Sequence, residues 1–216
     1  MSPIPGVFMG LLKLLVSDPA AFVILSVLLL YSVIFHELAH GWVAYKLGDS
    51  TAKWLGRLTL NPLKHLDPIG SLMLLVFGFG WAKPVPINLQ NIPNRRQGLI
   101  LVSAAGIVAN ITCAFIAILL LKVMAPAPDG MVNEILYLFA RINIMLAAFN
   151  LIPIPPLDGS KILTGFTSES IRRFLTQIEP FGFFVIIGLL YVGALNPVIN
   201  FLQYIIMAVI SFFVPG

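Results

Sequence analysis

From Ala20 to Tyr45 the chain reads as one apolar helix, and within it stand three ionisable residues, His36, Glu37 and His40. About 26 residues at ~1.5 Å each reach roughly 39 Å, enough to cross a bilayer with tilt. Asp18-Pro19 supplies a helix start, with Asp as N-cap and Pro in the first turn. Ionisable groups at membrane depth are costly and mark functional sites. On a helix His36 and His40 are four residues apart, so both imidazoles leave one face, one turn apart. That pair can hold a zinc ion through two nitrogens, with Glu37 beside it as general base. The motif lies toward the C-terminal end of the segment, so the site is expected nearer one membrane face.

The rest of the chain agrees with a membrane setting. Of its residues 59% are apolar and 10% charged, with a mean hydropathy of +0.98. A soluble domain averages roughly 25% charged residues. The net charge of +4 is spread over short loops, so it is no sign of a nucleic-acid partner. Cys113 is the single cysteine, which excludes a disulfide framework and a cysteine-rich metal site. Residues 1–6 carry no basic n-region, and no cleavable signal peptide is expected.

Along the chain, residues 7–16 are apolar but short. Lys46 to Asp67 is polar and turn-rich, and within it Trp54 to Leu60 alternates as a short strand does. Pro68 to Trp81 is apolar over a length that suits a re-entrant or interfacial segment. Trp81 to Asn88 is held extended by Pro84 and Pro86 and is expected to leave a sheet edge open to a peptide. Gln97 to Lys122 and Met131 to Ile152 are spans. The first has a small-residue stripe containing Ala105, Gly106, Ala109 and Asn110. This is a packing face, with a place near the site as the alternative for Asn110. The second carries Arg141, expected to pair with Glu134 or with carbonyls. Prolines 153, 155 and 156 then break the helix at membrane depth, where irregular backbone must face protein or water. Ser168 to Glu179 reads as a polar connector, and Phe181 to Val214 as one kinked helix or two, divided at Asn196-Pro197. Ten of the thirteen basic residues fall in three clusters that share one side if Pro68–Trp81 dips in and returns. The positive-inside rule makes that side cytoplasmic. The same topology brings Asp158 to the membrane side that holds His40.

A catalytic zinc takes three protein ligands and keeps a fourth position open. With His36 and His40 as two, the candidates for the third are His65, Asp67 and Asp158. His65 can alternatively relay protons, orient substrate or simply lie on the surface. Asn150 can bond a substrate carbonyl or oxyanion, or satisfy backbone groups freed by Pro153.

Taken together, His36-Glu37-Leu38-Ala39-His40-Gly41 and Asn150 to Gly159, with its Asn-x-x-Pro-x-Pro-x-x-Asp-Gly pattern, resemble the site-2 protease family of intramembrane zinc metalloproteases. Asn61 to Pro68 and Gly80 to Asn88 resemble family segments as well, particularly those of compact prokaryotic members. The likeness runs from about Tyr31 to Gly159. It implies that Asp158 is the third zinc ligand, that Glu37 is the base, and that one Zn2+ serves hydrolysis of a peptide bond within a substrate's transmembrane helix. It also implies a membrane-associated β-hairpin around Trp81–Asn88 that engages the unwound substrate, with Pro84, Val85 and Pro86 among its contacts. No polar stretch is long enough for the PDZ or CBS domain that many members carry.

The expected architecture is all-α and multi-pass, with five or six transmembrane or half-membrane helices and a small β-hairpin between the first two core helices. It is a single membrane-embedded protease domain over residues 1–216, with its core at 20–160, a peripheral N-terminal segment and C-terminal helices at 181–214. The expected partners are the lipid bilayer and a transmembrane-protein substrate, in a prokaryotic cell membrane. Oligomeric state has no signal in the sequence. The rival reading, a zinc transporter or non-hydrolytic zinc protein, calls for ligands at successive depths.

Overall fold

The computed structural model describes residues 10–77 and 80–214. The signal-peptide reading of residues 1–6, the start of the apolar run at 7–16, and Gly78 lie outside them. Among the described residues the chain forms nine α-helices: α1 (Gly10–Ser17), α2 (Pro19–Lys46), α3 (Thr51–Trp54), α4 (Pro68–Phe77), α5 (Arg95–Met124), α6 (Met131–Asn150), α7 (Asp158–Phe166), α8 (Glu169–Tyr191) and α9 (Asn196–Phe213). Five of them, α2, α5, α6, α8 and α9, are long and apolar enough to cross a membrane.

Each boundary has a local cause. Asp18 caps α2 by accepting from Ala21 N at 3.0 Å, with Pro19 behind it. Asn94 caps α5 through Gln97 N, and α5 ends where Ala125 turns left-handed. Asp67 caps α4, accepting from Gly70 N at 2.7 Å, and at ten residues α4 is about half a crossing. The polar stretch before Phe181 is no connector. It continues into the apolar residues as the single helix α8, with Pro180 inside it. The chain divides next at Gly193, whose φ of +74° only glycine takes readily.

α5 is the central element and packs against α2, α6 and α7. Its buried face, Val102, Ser103, Gly106, Ile107, Asn110, Ala114 and Ala117, follows the helical repeat. Small residues there admit close helix approach. Ile107 and Ala114 meet Ile144, Ala147 and Ala148 of α6 and Ile206 and Ile210 of α9. The outward face is also apolar, with Val27, Val108, Ile116, Phe184 and Phe201 exposed, as a lipid-facing surface requires.

The expected β-hairpin is absent: the described residues contain no strand. Trp54 closes α3, and Gly56 at φ +62° turns the chain at once. Arg57 N is spent on Ala52 O at 2.8 Å. Residues 80–88 form neither helix nor strand, and Pro84 and Pro86 have no N–H to give a ladder. The N–H groups of Lys83, Val85 and Asn88 bond to His65 O, Glu37 and Asp49 instead. With those donors turned onto neighbouring loops and helices, the segment is a strap pinned to the bundle.

Candidate metal centre and active site

The two motif histidines face α5. His36 and His40, each 7% exposed, stand one turn apart on the buried stripe of α2 with Ser32 and Ala44. The carboxylate arrives from the far side. After α6 the chain runs through 151–157, with a cis Pro155–Pro156 bond, and Asp158 opens α7 at 5% exposure. His36 Nε2 and His40 Nε2 lie 2.9 Å apart, and Asp158 Oδ2 is 3.0 Å from each.

The hydrogen bonds around this triangle fix what its three atoms can offer. His40 Nδ1 lies 2.6 Å from Val102 O, a carbonyl that can only accept, so Nδ1 carries the proton. For His36 the same result follows from a longer chain of bonds. Asn110 Nδ2 donates to Ser32 O at 3.2 Å and to Asn143 Oδ1 at 2.8 Å. Its Oδ1 must therefore face His36 Nδ1, and accepts from it at 2.6 Å. Asn143 Nδ2 donates to Ser32 Oγ and Phe139 O, and Ser32 Oγ donates to Leu28 O. Both Nε2 atoms are left as bare lone pairs in the neutral rings.

Two nitrogen lone pairs and a carboxylate oxygen at mutual van der Waals distance repel unless a cation joins them. Asp158 Oδ2 is buried with no hydrogen-bond donor of its own. The three residues form a group able to hold one metal ion. Gly106 keeps the space clear, because a Cβ there would lie 2.5 Å from His40 Nε2 and 2.6 Å from His36 Nε2. The donor set of two imidazoles and a carboxylate suits zinc, and the absence of thiolate excludes nothing for it.

Glu37 is half-buried beside the triangle, and its Oε2 accepts from Val85 N at 2.8 Å. Lys161 Nζ approaches the other Asp158 oxygen at 3.6 Å. The remaining candidates are elsewhere. His65 is fully buried, with Nε2 donating to Thr59 O at 2.8 Å, and it stands outside the metal-binding group. Asp67 is occupied as the α4 cap. Asn150 Nδ2 donates to Leu146 O one turn back, which is not the carbonyl that Pro153 would leave free. Arg141 lies over the Tyr137 ring at 5.6 Å rather than against Glu134. Pro84 and Pro86 flank Val85 in the strap.

Four residues of this neighbourhood escape the motif reading: Ser32, Asn143, Asp49 and Arg57. Asn143 is a polar residue within a span, and that alone marks it. Ser32 sits one turn before His36. Asp49 accepts from Thr51 N, Thr51 Oγ1, Asn91 Nδ2 and Asn88 N. Burial pushes its carboxyl upward, but the bonds from Thr51, Asn91 and Asn88 prevail and hold it below the usual carboxylate value.

A helical membrane bundle that presents H-E-x-x-H opposite a carboxylate defines an intramembrane zinc metalloprotease. The sequence comparisons agree. Residues 123–193 match peptidase family M50. YwhC of Bacillus subtilis is 44% identical over 173 residues, covering 76% of this chain and 78% of that protein. Rip2 of Mycolicibacterium smegmatis is 30% identical over 172 residues, 77% of this chain and 66% of its own. MJ0392 of Methanocaldococcus jannaschii is 30% identical over 148 residues, 68% of this chain and 35% of its own. All three are named zinc metalloproteases. No solved structure matches. The chain belongs to the site-2 protease family, peptidase family M50.

Proposed function

We propose that His36 Nε2, His40 Nε2 and Asp158 Oδ2 hold the single zinc ion of this protease, and that Glu37 is its general base. The observation that carries the assignment is the convergence of these three buried atoms within 3.0 Å, each offering only lone pairs. Zinc, when bound, supplies a Lewis acid for the scissile carbonyl and a nucleophile at neutral pH. Glu37 takes the proton from the attacking water and delivers it to the leaving amide nitrogen. The Nδ1–H bonds to Asn110 and Val102 O keep both imidazoles in the tautomer that presents Nε2. The lipid-facing apolar exterior and the interior position of the donors support transmembrane segments as the substrates. The basic clusters at the same end of the bundle support a site nearer the cytoplasmic face. Gathering of the donors in one group, with no second group among the described residues, supports hydrolysis over ion passage.

The test uses one model transmembrane substrate in liposomes. Glu37→Gln is expected to retain zinc and lose cleavage, and turnover at the normal rate by that variant would remove Glu37 from the mechanism. Asp158→Ala is expected to lose zinc, whereas full occupancy would return the third ligand to His65 or Asp67.

A further inference from the structure

The strap over residues 80–88 does more than cover the bundle. Its one bond to the reaction machinery is Val85 N to Glu37 Oε2 at 2.8 Å. Pro84 and Pro86 have no N–H, so Val85 holds the sole backbone donor between Lys83 and Ile87. A slip of one residue would present a proline to the base. Among the described residues Glu37 Oε1 has no hydrogen-bond partner and is not a buried orphan, so one oxygen is anchored and the other is open. A base that must take a proton from water needs that division.

Two devices fix the strap's position along its length. Val85, 5% exposed, lies flush on α2 because Gly41 has no side chain: a Cβ there would stand 2.7 Å from Val85 Cγ1. Before it, the peptide groups of Lys83 are held on both sides, Lys83 N donating to His65 O at 2.8 Å and Arg57 Nη2 donating to Lys83 O at 2.7 Å. Arg57 is the costly member. It is 8% exposed, it forms no ion pair among the described residues, and its Nε has no partner. A buried cation without a carboxylate is expensive, and the one hydrogen bond of its guanidinium among the described residues is to the strap.

We infer that Arg57 is a positioning residue for the hydrolysis, acting through the strap backbone to keep Val85 N–H on the Glu37 carboxylate. The inference rests on the assignment of Glu37 as base. Arg57 touches neither the metal donors nor the place of the reacting atoms, so its effect should fall on turnover while zinc binding stays intact.

The experiment measures zinc content, KM and kcat for Arg57→Met, for Arg57→Lys, and for a chain with the Val85 amide replaced by an ester. The ester removes the N–H and leaves every side chain in place, so it answers even if Arg57→Met does not fold. The expected result is a fall in kcat of about tenfold, the scale of one hydrogen bond, with KM within about twofold and zinc content unchanged. Arg57→Lys is expected to recover part of the loss. In a Glu37→Gln background, Arg57→Met should cause no further loss in residual cleavage, since it acts through that carboxylate. A rise in KM at constant kcat would overturn the inference and make the strap a substrate surface alone. So would unchanged turnover in the ester chain, or loss of zinc from folded Arg57→Met protein. If Glu37→Gln itself cleaves normally, the assignment of the base fails, a result separate from all of these.

Discussion

Removal of Asn110 would show how far the proposed metal centre depends on a residue outside its three donors. Asn110→Ala deletes the acceptor for His36 Nδ1–H and both donors that reach Ser32 O and Asn143 Oδ1. All four residues are buried. His36 then either keeps its Nδ1 proton unpaired or moves the proton to Nε2 and gives up its lone pair. Either path costs on the order of one buried hydrogen bond, about 1–3 kcal/mol. Charged against zinc binding, this is roughly a 10- to 100-fold loss of affinity, the range typical of outer partners of metal-bound histidine. The assay is competition with a chromophoric chelator on detergent-purified protein, with size-exclusion profile and helical circular dichroism as fold controls. Asn110→Asp separates the two functions of the residue. It still accepts from His36 Nδ1–H, so zinc affinity should stay near wild type, while two carbonyls now face a carboxylate and stability should fall. Folded Asn110→Ala protein that binds zinc as tightly as wild type would refute the argument that this bond sets the tautomer.

Further predictions concern the space around the zinc and the anchoring of the strap. Gly106→Ala places a methyl 2.5 Å from His40 Nε2 and should abolish stoichiometric zinc, read by metal analysis, while thermal unfolding still reports a folded bundle. Asp49→Ala removes the two hydrogen bonds, from Asn88 N and Asn91 Nδ2, that fasten the strap's far end to the end of α2, and two more from Thr51 at the start of α3. It should lower stability by about 1–3 kcal/mol and open residues 88–91 to hydrogen exchange. The Asp49 carboxyl is held below its unfolded value, so its contribution is present above about pH 4 and is lost as pH falls through the lower folded value. The exchange protection factor at Asn88, corrected for the intrinsic rate, should therefore fall in acid in the wild type and be less sensitive to acid in Asp49→Ala.

The sequence makes the candidate metal site legible to the degree that it is local. His36, Glu37 and His40 share one helix turn, so the 3.6-residue repeat alone brings them together. Asp158 is 118 residues beyond His40, and its convergence rests on the proline break and on charge topology, both visible in the chain. The supporting network is less visible because it spans three helices. Nothing near Asn143 in sequence signals that its side chain meets Asn110 and Ser32, and only the packing of α5 between α2 and α6 creates that meeting. The strap differs from the expected hairpin for a related reason. Extended residues around Pro84 and Pro86 resemble an edge strand, but a strand requires a partner for its N–H groups. Here those groups go to the Glu37 and Asp49 side chains and the His65 carbonyl, choices set by tertiary packing. Likewise Ser168–Glu179 is polar because it is the exposed first half of α8, and polarity alone resembles a connector.

The central claim is that two imidazoles and one carboxylate bind one zinc ion. Zinc K-edge X-ray absorption on purified wild-type protein, with metal stoichiometry on the same sample, tests it most directly. The account predicts one zinc per chain with two imidazole nitrogens at about 2.0–2.1 Å, oxygen at about 2.0–2.2 Å and no sulfur. Three imidazoles would bring His65 into the site, and an unchanged spectrum in Asp158→Ala would contradict the donor set assigned here.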